Sequence, residues 1–273
     1  GDLPQEYKDA MWHFHPRALI AHMRKCGWLS KSELIQCLPR NSPAGTVRLQ
    51  DAQARLTTWG IPINRLNRKF GLQTPVRTTH LLGQVWAETG YLRLTREVGA
   101  DNARYAPYIG RGLIQITWKD KYEDYDGFSK LTPLGDATFH LDLIATDSYH
   151  AANSSGFYWV SKLYKEDPNI SHLNLSKIAD QGLETDAIGE LCLWINGGGN
   201  HYDHRHVHAY YIKRVHDDVA YETASPKENI SFAKMEFIWA TKFVRGKMVK
   251  SIVGTRRSNR QMSIEIDHTR LRP

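Results

Sequence analysis

Apolar residues recur at three- and four-residue intervals along most of the chain, the spacing that gathers them on one face of a helix. "PRALIAHMRKCGW" (16–28) carries such a stripe up to Gly27. "SKSELIQCLP" (30–39) opens with Ser30 three positions before Glu33, a capping box, and closes at Pro39. After the turn-rich "RNSPAGT" (40–46), "RLQDAQARLTTWG" predicts a helix ended by Gly60, and "INRLNRKFG" a second one ended by Gly71. "TPVRTTHLLGQVWAETG" (74–90) predicts a helix capped by Thr74, started by Pro75 and stopped by Gly90, with Thr78, Leu81 and Val85 on its stripe. "ATDSYHAANSSGFYWVSKL" (145–163), "LETDAIGELCLWING" (183–197) and a segment beginning "HVHAYYIKRVHDDV" (206–219) also read as helices, with "NGGGN" (196–200) as a loop.

The period changes in "YIGRGLIQITW" (108–118). Gly110 and Gly112 flank Arg111, and "LIQIT" alternates, so an extended or hairpin segment is expected. The fold class is therefore mainly α with a small β element. The break at 40–46 divides the chain into an N-terminal helical segment (1–45), a central domain (46–220) and a basic C-terminal extension (221–273).

At 273 residues, 41% of them hydrophobic, the chain can bury a sizeable core. No stretch is long and apolar enough to span a membrane. The opening carries no basic-then-apolar leader pattern; with Gly1 where a starting methionine would stand, that says little about targeting. The formal charge of +7 suits an anionic partner, whether nucleic acid, membrane surface or cell wall. Seven basic residues and no acidic one fall between Lys242 and Arg260, a run that favours a solvated face over a binding patch. Cys26, Cys37 and Cys192 lack any C-x-x-C spacing and read as buried thiols, with Cys26 and Cys37 close enough in sequence to pair in an oxidising compartment.

The stretch "AETGYLRLTRE" (87–97) carries the candidate chemistry. Glu88 and Glu97 are nine positions apart, so on one continuous helix they would face opposite ways, roughly 13 Å apart along the axis. A stop at Gly90 lets the chain fold back. Two carboxylates so arranged suit glycoside hydrolysis, in which a protonated carboxyl serves the leaving oxygen and an ionised one activates water. Glu88 lies beside Val85, Trp86 and Ala87, where partial burial favours the protonated form; Glu97 follows Arg96 in a polar stretch that favours the ionised form.

Taken together, "LNRKFGLQTPVRTTHLLGQVWAETGYLRLTRE", "YIGRGLIQITWKDKY", "LWINGGGN" and "HRHVHAYYIKRV" resemble the family-19 glycoside hydrolases over about residues 60–215. That family comprises chitinases and related phage endolysins within the lysozyme-like superfamily. The resemblance implies a lysozyme-like catalytic domain and no cofactor. It implies Glu88 as proton donor and Glu97 as the second carboxylate of the endolysin branch. Thr117 would help hold the attacking water, and Gln115 and Asn196 would bind sugar. Arg111 and Arg205 would orient carboxylates or the loop. The family's usual asparagine before the tyrosine is Lys121 here, which puts a sugar contact there in doubt. Tyr105, Tyr108, Trp118 and Tyr122 could stack on sugars, Tyr108 being the one assigned to substrate, although aromatics in a helical domain are more often core.

The opening "FHP…CGWLSKSELIQCLP" resembles segments of cell-wall-degrading effectors delivered by type VI secretion. With the short glutamate spacing and the basic charge, it implies a muramidase secreted into the periplasm or wall of a target bacterium. Its partners would be peptidoglycan glycan strands, a cognate immunity protein and the secretion apparatus, with no nucleic acid and no membrane span. Two alternatives stay open: a chitinase acting on β-1,4-N-acetylglucosamine polymers, and a non-catalytic basic wall-binding module. A zinc site among His201, His204, His206 and His208 is weighed and disfavoured, because no H-E-x-x-H pattern or third ligand accompanies them.

Overall fold

The structure is a computed structural model that describes residues 26–39, 45–130, 141–163, 172–217, 227–244 and 247–267. The helix expected over 16–28 and the break at 40–46 lie largely outside them. The described residues are mostly helical, as the periodicity requires.

Helix α1 (Lys31–Gln36) starts with the expected capping box. Ser30 Oγ accepts from the Glu33 N–H at 3.2 Å, and Glu33 Oε2 accepts from the Ser30 N–H at 2.7 Å. Helix α2 (Leu49–Lys69) is one element where the glycine and proline signals predict two. Its apolar stripe runs unbroken through Leu56, Trp59, Ile63 and Leu66, all buried. Asn64 ties the region to the preceding segment, donating to the Gly60 carbonyl at 3.0 Å and pairing with the backbone of Leu29 through both of its amide atoms. Continuous burial outweighs the local helix-breaking preference of Gly60 and Pro62.

Helix α3 (Pro75–Thr89) is central and buried nearly all round, from Thr78 to Trp86. Thr74 caps it and Pro75 opens it, as expected. Helices α4 (Lys119–Ser129), α5 (Leu141–Thr146) and α6 (Ser148–Ser161) follow. A two-residue pair comes next, β1 (Lys162–Leu163) with β2 (His172–Leu173), and then α7 (Ser176–Ala179), α8 (Thr185–Asn196) and α9 (Tyr202–His216). Helix α9 lies along α3, and α2 lies along α6. The 108–118 segment makes the expected hairpin in its tightest form: Arg111 and Ile116 are bridged antiparallel and exchange backbone hydrogen bonds at 3.1 and 2.8 Å.

The basic run near the C-terminus is strand, not tail. β3 (Lys227–Val244) and β4 (Lys247–Asp267) form an antiparallel ribbon with irregularities at Ala233/Met235 and Ile238/Trp239. Phe232 and Met235 bury against Ile188, Cys192, Tyr202 and Ala209, and Ile266 meets Val207 and Tyr211. Each such side chain contributes about 1.5–3 kcal/mol on burial. The ribbon is thus clamped to α8 and α9. Cys37 and Cys192 are buried, Cys26 is exposed, and no disulfide joins them.

Candidate active site

Glu88 occupies the last turn of α3, and the chain breaks there as the glutamate spacing demands. Gly90 adopts the left-handed conformation at φ 55°, and Tyr91 and Leu92 follow at 64° and 63°. Non-glycine residues in that region cost of order 1–3 kcal/mol each, so the surroundings must hold the turn. Thr89 does so locally: its hydroxyl accepts from the Leu92 N–H at 2.8 Å, and its carbonyl accepts from the N–H groups of Arg93 and Leu94. Arg55 braces the turn from α2 by donating to the Tyr91 carbonyl at 2.8 Å.

The Glu88 surroundings are not the apolar ones its sequence neighbours suggest. Arg205 on α9, 1% exposed, donates to Glu88 Oε1 at 2.6 Å, and Glu88 is itself only 12% exposed. The same guanidinium donates to Gln84 Oε1 and, at 3.4 Å, to the Asn200 carbonyl. Arg205 therefore orients the Glu88 carboxyl and ties it to the "NGGGN" loop. Among the described residues only Glu88 Oε1 is engaged, which leaves Oε2 for chemistry.

Glu97 sits in the returning loop. Its carboxylate accepts from the Tyr105 hydroxyl at 2.9 Å and from the Gly110 N–H at 2.9 Å, while its own N–H donates to the Gly110 carbonyl at 2.8 Å. A Cβ at Gly110 would come within 2.9 Å of Gln115 Oε1 and 3.2 Å of Glu97 Oε2, so a side chain there would displace both of them. Glu97, Gly110 and Gln115 are thus packed against one another. Gln115, at φ 53°, folds its amide onto the Gly112 carbonyl at 2.9 Å. Thr117 donates to the Gln115 carbonyl at 2.9 Å, and Trp118 stands left-handed at φ 80°. Two strained residues bracketing Thr117 fit a loop shaped for binding.

No family profile matches the chain, and no curated protein matches it. Among solved structures, chitinase C from Streptomyces griseus HUT6037 aligns over 68% of this chain and 75% of its own, at 19% identity and a TM-score of 0.46. A bacterial family 19 chitinase aligns over 67% and 94%, at 17% identity and a TM-score of 0.43. A point mutant of chitinase C aligns over 68% and 91%, also at 17% and 0.43. Likenesses this shallow carry no functional weight, and the chemistry rests on the residues themselves.

Arg111 turns inward. It is 3% exposed, and it donates to the carbonyls of Pro107 and Ile109 and to the Tyr122 hydroxyl at 2.9, 3.4 and 3.0 Å. That places it as a brace of the 107–111 loop. Tyr108 packs against the core and lies 5.6 Å, ring to ring, from buried Tyr122. The exposed aromatic is Trp118, at 45%, with the Tyr105 ring 5.2 Å away and the Arg104 guanidinium 5.2 Å from its own. Trp118 and Tyr105 are the pair beside Glu97 that can offer a face to a sugar: Trp118 by its exposure, invisible in sequence, and Tyr105 by its hydrogen bond to the Glu97 carboxylate. Asn196 closes α8, and its buried Oδ1 receives no hydrogen bond, so a donor is wanted there.

The histidines go separate ways. His208 bonds the Gly83 carbonyl and the Tyr91 hydroxyl, His206 bonds Tyr202 and stacks on Phe232 at 4.1 Å, and His201 stacks on His204 at 4.9 Å. Among the described residues no three of His, Cys, Asp and Glu are grouped to hold a metal. Nor, among them, is any helix long and apolar enough to cross a membrane.

Proposed function

We propose that the chain is a glycoside hydrolase of the bacterial cell wall, a muramidase that cleaves the β-1,4 bond between N-acetylmuramic acid and N-acetylglucosamine. Glu88 Oε2 gives a proton to the glycosidic oxygen, and Glu97 takes one from a water held beside Thr117. The observation that carries this reading is the differing treatment of two carboxylates across one chain reversal. One sits at a helix end, gripped through a single oxygen by buried Arg205. The other is held by a tyrosine hydroxyl and a backbone N–H in a glycine-spaced loop. Acid and base so fixed are what hydrolysis of a glycosidic bond needs.

Gln115 and Asn196 supply sugar contacts, Trp118 and Tyr105 a stacking face, and Arg205 holds the acid in place. The basic balance of the chain suits an anionic wall polymer. The effector role, an immunity partner, delivery by secretion and action in the periplasm of a target cell belong to the same proposal and rest on the resemblance of the opening residues alone. Incubating purified peptidoglycan with the protein and with Glu88→Gln and Glu97→Gln tests it. Each substitution is expected to lower release of soluble muropeptides by about 10²–10⁴-fold with the helical signal retained. Near-full activity in Glu97→Gln removes the proposed base.

A further inference from the structure

Beside this site lies a group of charges that the acid–base pair does not use. Lys121 and its neighbours Asp120 and Asp124 belong to the first turns of α4. Tyr158 and Ser161 come from the end of α6, and Lys162 directly follows it. Lys121, Asp124, Tyr158, Ser161 and Lys162 line one small cavity of about 10 Å³, little more than one water. Tyr158 joins the cluster to the catalytic residues: burial, then the negative charges of Glu88 and Asp120, push its hydroxyl well above the usual phenol range.

Lys162 is unusual within this group. Its ammonium donates to the Tyr158 hydroxyl and to the Trp194 carbonyl in the last turn of α8, two residues before Asn196. It lies 4.5 Å from the Tyr158 ring centre and 5.8 Å from that of Trp194. Among the described residues no carboxylate stands within ion-pair distance of it. An ammonium has three N–H groups, so one is left without an acceptor. Burial, with the like charge of Lys121 behind it, lowers the Lys162 ammonium to about 7. Lys121 is held loosely, 3.3 Å from Asp120 and 3.4 Å from Asp124, both longer than the 2.7–2.9 Å of a firm charged hydrogen bond. Asp120 offsets the Lys162 charge only from beyond ion-pair distance, so the ammonium is a cation kept partly out of water and weakly compensated, a costly arrangement that an arriving anion relieves.

We propose that Lys162 and Lys121 form a carboxylate-reading subsite that meets the lactyl acid of N-acetylmuramic acid at the cavity mouth and so favours peptidoglycan over chitin. This deepens the muramidase reading and rests on it. Chitin carries the same sugar backbone without that acid, so discrimination needs a cation placed beside the sugar cleft rather than a different catalytic pair.

Binding separates this inference from the reading beneath it. Calorimetric titration would use the uncleaving Glu88→Gln protein, with peptide-free strands of alternating N-acetylglucosamine and N-acetylmuramic acid, and with chitin oligomers of equal length. The parent should prefer the anionic strand about tenfold at low salt, with the preference shrinking as salt rises. Lys162→Gln and Lys121→Asn should each reduce that preference severalfold while chitin-oligomer binding stays within about twofold; Lys162→Arg should restore part of it. Three results overturn the subsite: no preference in the parent, a preference untouched by both substitutions, or equal loss of both ligands, which means a structural role. Should Lys162→Gln fail to fold, Lys121→Asn alone carries the comparison. The bond cleaved by the unsubstituted protein decides the muramidase reading independently.

Discussion

Arg205 is the residue through which the candidate acid answers to the rest of the molecule. Removing it leaves the buried Glu88 carboxyl and the Gln84 oxygen without their donor, so Arg205→Met should destabilise the fold by about 1–3 kcal/mol in denaturant titration. Adding Glu88→Gln to that variant should recover part of the loss, because the carboxyl left without its donor goes too. On the other carboxylate, Tyr105→Phe deletes one of the two hydrogen bonds to Glu97 and should slow hydrolysis about tenfold with little change in stability. The break after Glu88 was legible, since Gly90 announces the left-handed turn that follows the helix. The Arg205 contact was not legible from the local pattern: its partner lies 117 positions away, and helix periodicity says nothing about which helix comes alongside.

Helix ends proved readable where the cap is local, as at the side chains of Ser30 and Thr74 and the left-handed backbone of Gly90. They misled where packing decides. Gly60 and Pro62 mark a stop that the stripe from Leu56 to Leu66 overrides. Helix α4 went unread because only Tyr122 and Tyr125 are buried among its charged residues. The C-terminal ribbon was obscured by its charge, although Ile230 and Phe232, then Met235 and Phe237, alternate with period two, and Ile264 and Met262 stand opposite the first two across the register. The ribbon also seals the asparagine loop. A Cβ at Gly199 would lie 2.1 Å from the Phe237 ring, so Gly199→Ala must push that ring away. The expected cost is about 1–3 kcal/mol, read as a lower Tm together with weakened glycan binding through Asn196.

At the scale of the whole molecule, His80, His206 and His208 stand out among the described residues as buried in uncharged form. Burial lowers His80 to about 4 and both His206 and His208 to about 3, from an ordinary 6.5. Between those values and 6.5 the unfolded chain binds protons that the folded chain refuses, so stability is fully present above 6.5 and falls as the pH drops toward 4. Each such histidine adds about 1.4 kcal/mol per pH unit to the slope. Chemical denaturation at pH 7 and at pH 4.5 should show a clear loss at the lower value, and His206→Phe, which keeps a ring against Phe232, should flatten the dependence; an unchanged slope contradicts the assignment. The central claim is that Glu88 and Glu97 hydrolyse a muramyl bond. Mass spectrometry of purified peptidoglycan digested by the unsubstituted protein and by Glu88→Gln tests it most directly. New reducing-end N-acetylmuramic acid, formed by the first and nearly absent with the second, is the predicted result. Reducing-end glucosamine, anhydro-muramic ends, or equal digestion by both proteins would contradict it.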